Sequence, residues 1–465
     1  MQIALNIPEK VVADIALPAS KSVSNRALLL QALCPEKRYD IANLAVCDDT
    51  EHMEQGVANK RAGAALVDIG ATGTAMRFLT AYLAITEGET VITGSERMKQ
   101  RPIGTLVEAL RKLGADVTYI SKEGYPPLRI CGKRLRGGEL EIEAGISSQY
   151  ISALLMIAPC LTEGLTLHLK GNIASRTYIE LTLDLMRRYG ATAEWTDGQT
   201  IRVNPGTYED TPLSVEGDWS AASYWYELAA VAVHQGHEVD ILLRGLTTES
   251  RQGDRVVAEM FEELGMKTTY TEEGARLRGD NFQLSSFNFQ FEKDFTHCPD
   301  IAQTLAVTCC LMGIPFRFGG IHSLRIKETD RVAALINELR KLGFVLRAEG
   351  TEHLVWDGTT CPPDVRPTIA TYDDHRMAMA FAPAALCHEH LVIEHPEVVT
   401  KSYPEFWEHL ARVERLKMKD ESSCPKDSVI LNAVKDSAQE LCQDTLRDSS
   451  RCSEPLGRWP EREKQ

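Results

Sequence analysis

The chain has 465 residues, more than one ordinary hydrophobic core absorbs, so two domains, or two plus a tail, are expected. Its composition of 43% hydrophobic and 25% charged residues is that of a soluble globular protein, and its formal net charge of −15 argues against a general nucleic-acid binder. No run approaches the roughly 18 apolar residues of a membrane span.

Met1–Lys10 lacks the basic region and apolar stretch of a signal peptide, so a cytoplasmic protein without a membrane partner is expected. A net-negative protein still binds anions where its basic residues converge on one cleft. The twelve cysteines include no C-x-x-C pair, which leaves neither zinc-ligand spacing nor a short disulfide framework. The adjacent Cys309 and Cys310 fall in an apolar run and read as buried.

In chain order the sequence repeats itself. Small polar residues, then an Ala-rich apolar helix, a polar turn and a β-branched strand recur from starts near Ser20, Thr72, Ser147, Asp218, Pro299 and Tyr372. Between these starts lies a second motif, an amphipathic helix stopped by glycine and followed by an alternating strand. Examples are Leu113-Gly114-Ala115-Asp116-Val117, Tyr189-Gly190-Ala191-Thr192-Ala193, Leu264-Gly265-Met266-Lys267-Thr268 and Leu342-Gly343-Phe344-Val345-Leu346. Six α/β units suggest two domains of three. If the units of a domain run parallel, their helix N-termini share a face, and two such faces opposed suit phosphates and carboxylates. The first unit is short between Asp49 and Gly70. From about residue 417 the pattern stops and a disordered tail is expected.

Basic residues cluster at the starts of these repeats. Lys21, Ser22 and Arg26 precede a very apolar helix, and their hydroxyl and cations suit a phosphate, although a solvated helix start is the plainer reading. Gly70–Arg77 looks like a phosphate-binding loop without the offsets of a Walker A motif, and a packed helix start is an equal alternative. Arg97-Met98-Lys99-Gln100-Arg101-Pro102 is a second cluster, either functional or solvated. Arg325–Arg331 mixes cations with carboxylates and could be a salt-bridged face. Tyr372–Ala380 carries His375 and Arg376 at a helix start, and Lys401 stands in Thr400-Lys401-Ser402. Each has an ordinary explanation; together, in an acidic protein, they point to one anion site.

Residues 3 to 412 are identified as a member of the EPSP synthase family. The resemblance rests on Leu17–Ala27, Gly73-Thr74-Ala75-Met76-Arg77, Arg97–Ile103, Ser147-Ser148-Gln149, Lys327–Arg331 and Asp374–Met379 in this order. It implies the two-domain α/β enolpyruvyl transferase fold. Each domain is then three βαβαββ units around buried helices, with the active site in the interdomain cleft. The boundaries are 1–19 plus 217–415 for the first domain, 20–216 for the second and 416–465 for the tail.

The implied reaction moves the enolpyruvyl group of phosphoenolpyruvate to the 5-hydroxyl of shikimate 3-phosphate, a step towards aromatic amino acids. By the same resemblance Lys21, Ser22, Arg26, Ser147, Ser148, Gln149, Ser175, Tyr178, Asp300, Ser323 and Lys327 hold shikimate 3-phosphate. Lys21, Gly73, Arg101, Gln149, Arg331, Arg376 and Lys401 hold phosphoenolpyruvate, and Arg97 lines the site. Asp300 accepts a proton, Glu328 donates one and Lys21 assists. No metal or organic cofactor is implied, the partners are the two small molecules, and nothing demands more than a monomer.

Three features depart from the family pattern. Ala71 and Ser323 each stand where an asparagine is common, and the first repeat is short. The rivals are the sister transferase that acts on UDP-N-acetylglucosamine and an inactive α/β repeat protein. Joint retention of Lys21, Asp300, Glu328, Arg331 and Arg376 speaks against the second. The loop before Arg101 has no cysteine, unlike the sister enzyme's. Cys298 is the only thiol within the site motifs and is expected to point away from Asp300.

Overall fold

The computed structural model describes residues 1–3, 9–145, 147–279 and 291–415. The expected tail lies outside the described residues.

Among the described residues, twelve α-helices fall into two groups. The first comprises α1 (Lys21–Leu33), α2 (Asp48–Arg61), α3 (Gly73–Ile85), α4 (Gly104–Lys112), α5 (Ser148–Ile157) and α6 (Arg176–Arg188). The second comprises α7 (Trp219–His234), α8 (Val257–Glu262), α9 (Ala302–Leu311), α10 (Arg331–Lys341), α11 (His375–Phe381) and α12 (Phe406–Arg415). None is long and apolar enough to cross a membrane.

The Ala-rich motif and the glycine-stopped motif take different places for a physical reason. In α3, α5, α7, α9 and α11 apolar residues run all round the helix, so each is buried on every side. The helices α1, α3 and α5 touch one another, as do α7, α9 and α11, forming two trios of inner helices. The amphipathic helices α4, α6 and α10 keep one polar face outside and end in basic residues before a glycine of positive φ (Gly114, Gly190, Gly343).

Sheets wrap the two trios. Around the first are two four-stranded sheets. One has the order Leu66–Asp68, Gly88–Thr93, Leu128–Gly132, Asp116–Tyr119, and the other Gly138–Glu143, Leu165–Lys170, Thr200–Val203, Ala193–Trp195. Around the second are Met266–Thr271, Gly274–Gly279, Glu238–Arg244, Lys10–Ala16 and Phe291–Asp294, Phe316–Gly319, His353–Trp356, Arg347–Glu349. A three-stranded sheet of Gln2–Ile3, Leu391–Ile393 and Thr368–Ile369 completes that side. Every four-stranded sheet joins one parallel pair to an antiparallel hairpin.

The short first unit leaves its mark here: five sheets occur among the described residues for six units. The first unit supplies α1 and α2 but no sheet of its own. Only residues 62–72 separate α2 from α3, too few for a strand pair and its connections, and they yield the single strand Leu66–Asp68, which joins the next unit's sheet. An isolated parallel bridge joins Ala42, ahead of α2, to Ser214.

The buried side chains form two separate clusters, one drawn from residues 19–215 and one from residues 3–15 and 219–413. Two stretches of chain pass between them side by side. Ser20 N donates to Glu216 O at 2.8 Å, Asp218 N to Pro18 O at 2.9 Å, and Ala19 bridges Gly217. Both lobes belong to one compact unit, Met1–Leu416.

Candidate active site

The helices of both lobes aim their N-termini at one cleft of about 1070 Å³, including its open mouth. Lys21, Ser22, Arg26, Gly73, Arg101, Ser147, Ser148, Gln149, Ser175, Tyr178, Asp300, Ser323, Lys327, Glu328, Arg331 and Arg376 all line it. Lys401 joins from behind Glu328, with Nζ 2.8 Å from Oε1 of that carboxylate. All the expected substrate-binding and catalytic residues are thus brought to one place; Arg97, expected to line the site, is not among the lining residues and instead contacts the Glu328 carbonyl.

The first lobe supplies donors from helix starts. Lys21 is the first residue of α1, and its Nζ donates to Asp49 Oδ2 of α2 at 2.9 Å. Burial alone would lower the Lys21 pKa, but the Asp49 carboxylate outweighs it and holds the amine charged. Arg26 is fixed by Thr182 Oγ1 at 2.7 Å, the Ser22 carbonyl at 2.8 Å and Ser152 Oγ at 3.2 Å, and burial pulls its pKa down to about 10. Ser147 caps α5 by accepting from Gln149 N, and Gln149 Nε2 donates to Thr74 Oγ1 at 3.1 Å. Ser175 precedes α6 in the left-handed region, φ 53°, a costly conformation for a non-glycine residue and of the sort that gathers at functional sites. Its N–H donates across the cleft to Thr296 O at 2.8 Å.

Gly73 opens α3 where two guanidinium groups crowd the backbone. A β-carbon there would lie 2.7 Å from Arg101 Nη1 and 2.8 Å from Arg77 Nη1. Glycine is therefore the residue that lets both cations approach a helix N-terminus.

The second lobe supplies the carboxylates. Asp300, in the turn before α9, is 3.0 Å from both Arg331 Nη1 and Arg376 Nη2, 3.7 Å from Lys327 Nζ, and accepts from Tyr178 OH at 3.2 Å. Burial opposes its ionisation, but Arg376, Lys327 and Arg331 hold it well below the ordinary carboxylate range. Glu328 sits 2.8 Å from Lys401, 3.0 Å from Arg331 and 3.8 Å from Arg101. Burial opposes its ionisation too, and Lys401, Arg331 and Arg101 overcome it. Arg331, 1% exposed, is clamped by Asp374 at 2.7 Å.

The lobes also clasp each other. Arg97 Nε donates to Glu328 O at 2.9 Å, so the Arg97–Arg101 run divides its labour: Arg97 latches, Lys99 pairs with exposed Glu96, and Arg101 enters the cleft. The Arg325–Arg331 run divides likewise, with Arg325 paired to Asp330 outside and Lys327, Glu328 and Arg331 within. Lys401 Nζ lies 3.5 Å from the Ala71 carbonyl, so the backbone at Ala71 still contacts the site although an asparagine side chain is not there.

Sequence reasoning missed Asp49, Thr74, Arg77 and Tyr150 as lining residues, and quoted His375 without a role. The doublet Asp48-Asp49 at a helix start was the available signal for Asp49. His375 is 1% exposed with neither ring nitrogen hydrogen-bonded; burial, Lys21, Arg376 and Lys401 keep the ring neutral. Cys298 is buried, and Cys47, the residue before α2, lies close enough to Lys21 to affect its charge. Burial raises the pKa of both thiols.

Cations from two lobes, closing on two carboxylates among helix starts of both lobes, define an enzyme for multiply anionic small molecules. The family model for EPSP synthase (3-phosphoshikimate 1-carboxyvinyltransferase) matches residues 5–62 and 58–410, the break falling at the end of α2 where the first unit is short. A 3-phosphoshikimate 1-carboxyvinyltransferase of Bacteroides fragilis is 50% identical over 413 residues, covering 89% of this chain and 98% of its own. One of Photobacterium profundum is 38% identical over 433 residues, covering 87% and 97%. In structure the chain resembles EPSP synthase of Acinetobacter baumannii, with a TM-score of 0.69 at 20% identity, over 89% of this chain and 98% of that one. The chain belongs to the EPSP synthase family.

Proposed function

We propose that the protein transfers the enolpyruvyl group of phosphoenolpyruvate to the 5-hydroxyl of shikimate 3-phosphate, releasing phosphate. The observation that carries this reading is the convergence of Lys21, Arg101, Arg331, Arg376 and Lys401 on Asp300 and Glu328, in a chain of this family. Two substrates bring two phosphates and two carboxylates, and a ring of Arg and Lys is what such charge requires.

The 5-hydroxyl oxygen attacks C2 of phosphoenolpyruvate. Its proton goes to Asp300, ionised in this site, while C3 takes a proton from Glu328. The tetrahedral adduct then breaks its C2–O bond to phosphate, C3 returns a proton, and phosphate leaves with the hydroxyl's proton. In the empty cleft Glu328 is held ionised by Lys401, Arg331 and Arg101. Phosphoenolpyruvate, taking those cations for itself, would raise the Glu328 pKa and ready it as an acid. Substrate arrival thus arms the donor.

In this reading Ser22, Arg26, Ser147, Ser148, Gln149, Ser175, Tyr178, Ser323 and Lys327 hold shikimate 3-phosphate, and Gly73, Gln149, Arg101, Arg331, Arg376 and Lys401 hold phosphoenolpyruvate, with Lys21 shared. The segments 1–19 plus 217–415 and 20–216 act as two domains that close on the substrates. Proton transfer and charge neutralisation suffice for this chemistry, so the reading includes neither a metal nor an organic cofactor. It places the enzyme in the cytoplasm as a monomer. Purified protein should release phosphate only when both substrates are present. Release with UDP-N-acetylglucosamine in place of shikimate 3-phosphate would transfer the assignment to the sister enzyme.

A further inference from the structure

Behind Arg376 lies a buried carboxylate that this mechanism does not use. Asp254 sits in the turn Gly253–Val256 ahead of α8 and is 2% exposed. One of its oxygens is hydrogen-bonded to the Ser220 hydroxyl; the other, Oδ1, is buried with no partner. Ser220 Oγ is 3.3 Å from Arg376 Nη2, and that same nitrogen is 3.0 Å from Asp300 Oδ2. One guanidinium therefore faces two carboxylates.

The groups facing Asp254 come from three elements and the opposite lobe. They are Ser220 and Asp218 at the start of α7, Asp300 and Cys298 from the turn before α9, Arg376 of α11, and Tyr178 of the first lobe. Only Arg376 is a cation. Asp300 has Lys327 and Arg331 besides, and Asp254 has neither. Two carboxylates sharing too little positive charge in a buried site do not both ionise readily. The proton falls to the one with fewer cations: burial and Asp300 push Asp254 up to about 7. The turn is shut in by the other lobe, since a β-carbon on Gly253 would collide with Thr177.

We propose that Asp254 is a positioning residue which, through Ser220 and Arg376, governs how tightly the site holds the carboxylate of phosphoenolpyruvate, and that the site holds it well only while Asp254 carries a proton. This rests on the functional reading above. A substrate carboxylate on Arg376 is a further anion beside that guanidinium. A neutral Asp254 leaves the guanidinium's charge to the substrate, whereas an ionised one repels the substrate and competes for the same cation. By reciprocity, phosphoenolpyruvate raises the proton affinity of Asp254.

The test is the KM for phosphoenolpyruvate of wild type and Asp254→Asn, at saturating shikimate 3-phosphate, across neutral pH. Asparagine keeps the size and an acceptor for Ser220 but never ionises. The ratio of wild-type to variant KM should lie near one on the acid side of neutrality and rise about tenfold on the alkaline side, the reach of a one-unit pKa linkage. The substrate's own ionisation cancels in this ratio, and the corresponding ratio for shikimate 3-phosphate should stay flat. If Asp254→Asn fails to fold, Asp254→Ser, smaller and equally uncharged, should give the same ratio. A wild type that turns over but shows a pH-flat ratio, or ratios for both substrates that move together, overturns the Asp254 proposal alone. A wild type inert towards the two substrates overturns the functional reading and this proposal with it.

Discussion

At the scale of single residues the site is a balance of charges. Asp300 and Glu328 are each ringed by cations and held ionised in the empty cleft, which suits a proton acceptor directly and a donor only after substrate has claimed the cations. Asp300→Asn and Glu328→Gln should therefore each lower kcat by about 10²–10⁴, the usual worth of a positioned acid or base, with much smaller effects on either KM. Steady-state kinetics of the two variants decide this, and near wild-type turnover in both would exclude the acid–base assignment. The thiols carry no such role. Cys47 and Cys298 are buried and shifted away from the thiolate, whereas a nucleophilic cysteine is exposed and shifted towards it.

At the scale of elements, the helix starts make the site, and each is built for its position. A methyl group on Gly73 would enter the space of Arg101 and Arg77. Gly73→Ala should raise the KM for phosphoenolpyruvate several-fold while leaving that for shikimate 3-phosphate within about twofold, since ligand-positioning groups are sensitive to displacements near 1 Å. Equal changes in both constants would contradict this. Helix α7 carries the opposite kind of residue. Glu227 is fully buried in its apolar wall, neither carboxylate oxygen has a hydrogen-bond partner, and burial raises its pKa well above the ordinary value. A raised carboxylate pKa means that the folded state keeps a proton the unfolded chain gives up. The penalty is absent below the unfolded pKa of about 4.3 and grows as pH rises through and beyond it. Glu227→Gln should accordingly raise Tm relative to wild type by more at pH 8 than at pH 5, as thermal melts would reveal. An equal shift at both values would mean that Glu227 is ionised in the fold.

At the scale of the whole molecule, the functional reading needs two lobes that close. Anion ligands stand on both sides of the cleft, and among the described residues two stretches of chain join the lobes, near Ser20 and near Gly217. Shikimate 3-phosphate plus an unreactive phosphoenolpyruvate analogue should therefore reduce the radius of gyration in small-angle scattering. The measurement is cleanest on protein truncated after residue 416. Such protein should keep full turnover, because the match to the family model ends at residue 410. An unchanged radius would count against closure, and loss of turnover in a folded truncated enzyme would place part of the site beyond residue 416.

The sequence by itself determined the architecture and most of the site, because both are written in local patterns. Ala-rich segments that are apolar all round had to become inner helices, and helices ending Leu-Gly or Tyr-Gly before an alternating strand had to become outer ones. Basic clusters at helix starts located Lys21, Arg101, Arg331 and Arg376, since the helix N-terminus and the cation serve the same anion. Tertiary structure alone decided which charges meet. Nothing in Arg97-Met98-Lys99-Gln100-Arg101 says that Arg97 would latch the opposite lobe while Lys99 stayed outside. Nor could spacing reveal that Asp49, 28 residues from Lys21, would hold its amine, or that Asp254 and Asp300 would share one arginine. The first repeat lost its sheet by the same logic: the pattern announced a short unit, and only three-dimensional pairing settled that its remaining strand would join its neighbour. Local sequence fixes periodicity and helix ends through forces that act within a few residues. The charge of a buried carboxylate depends on which cations lie within a few ångströms of it, and those are assembled from elements far apart along the chain.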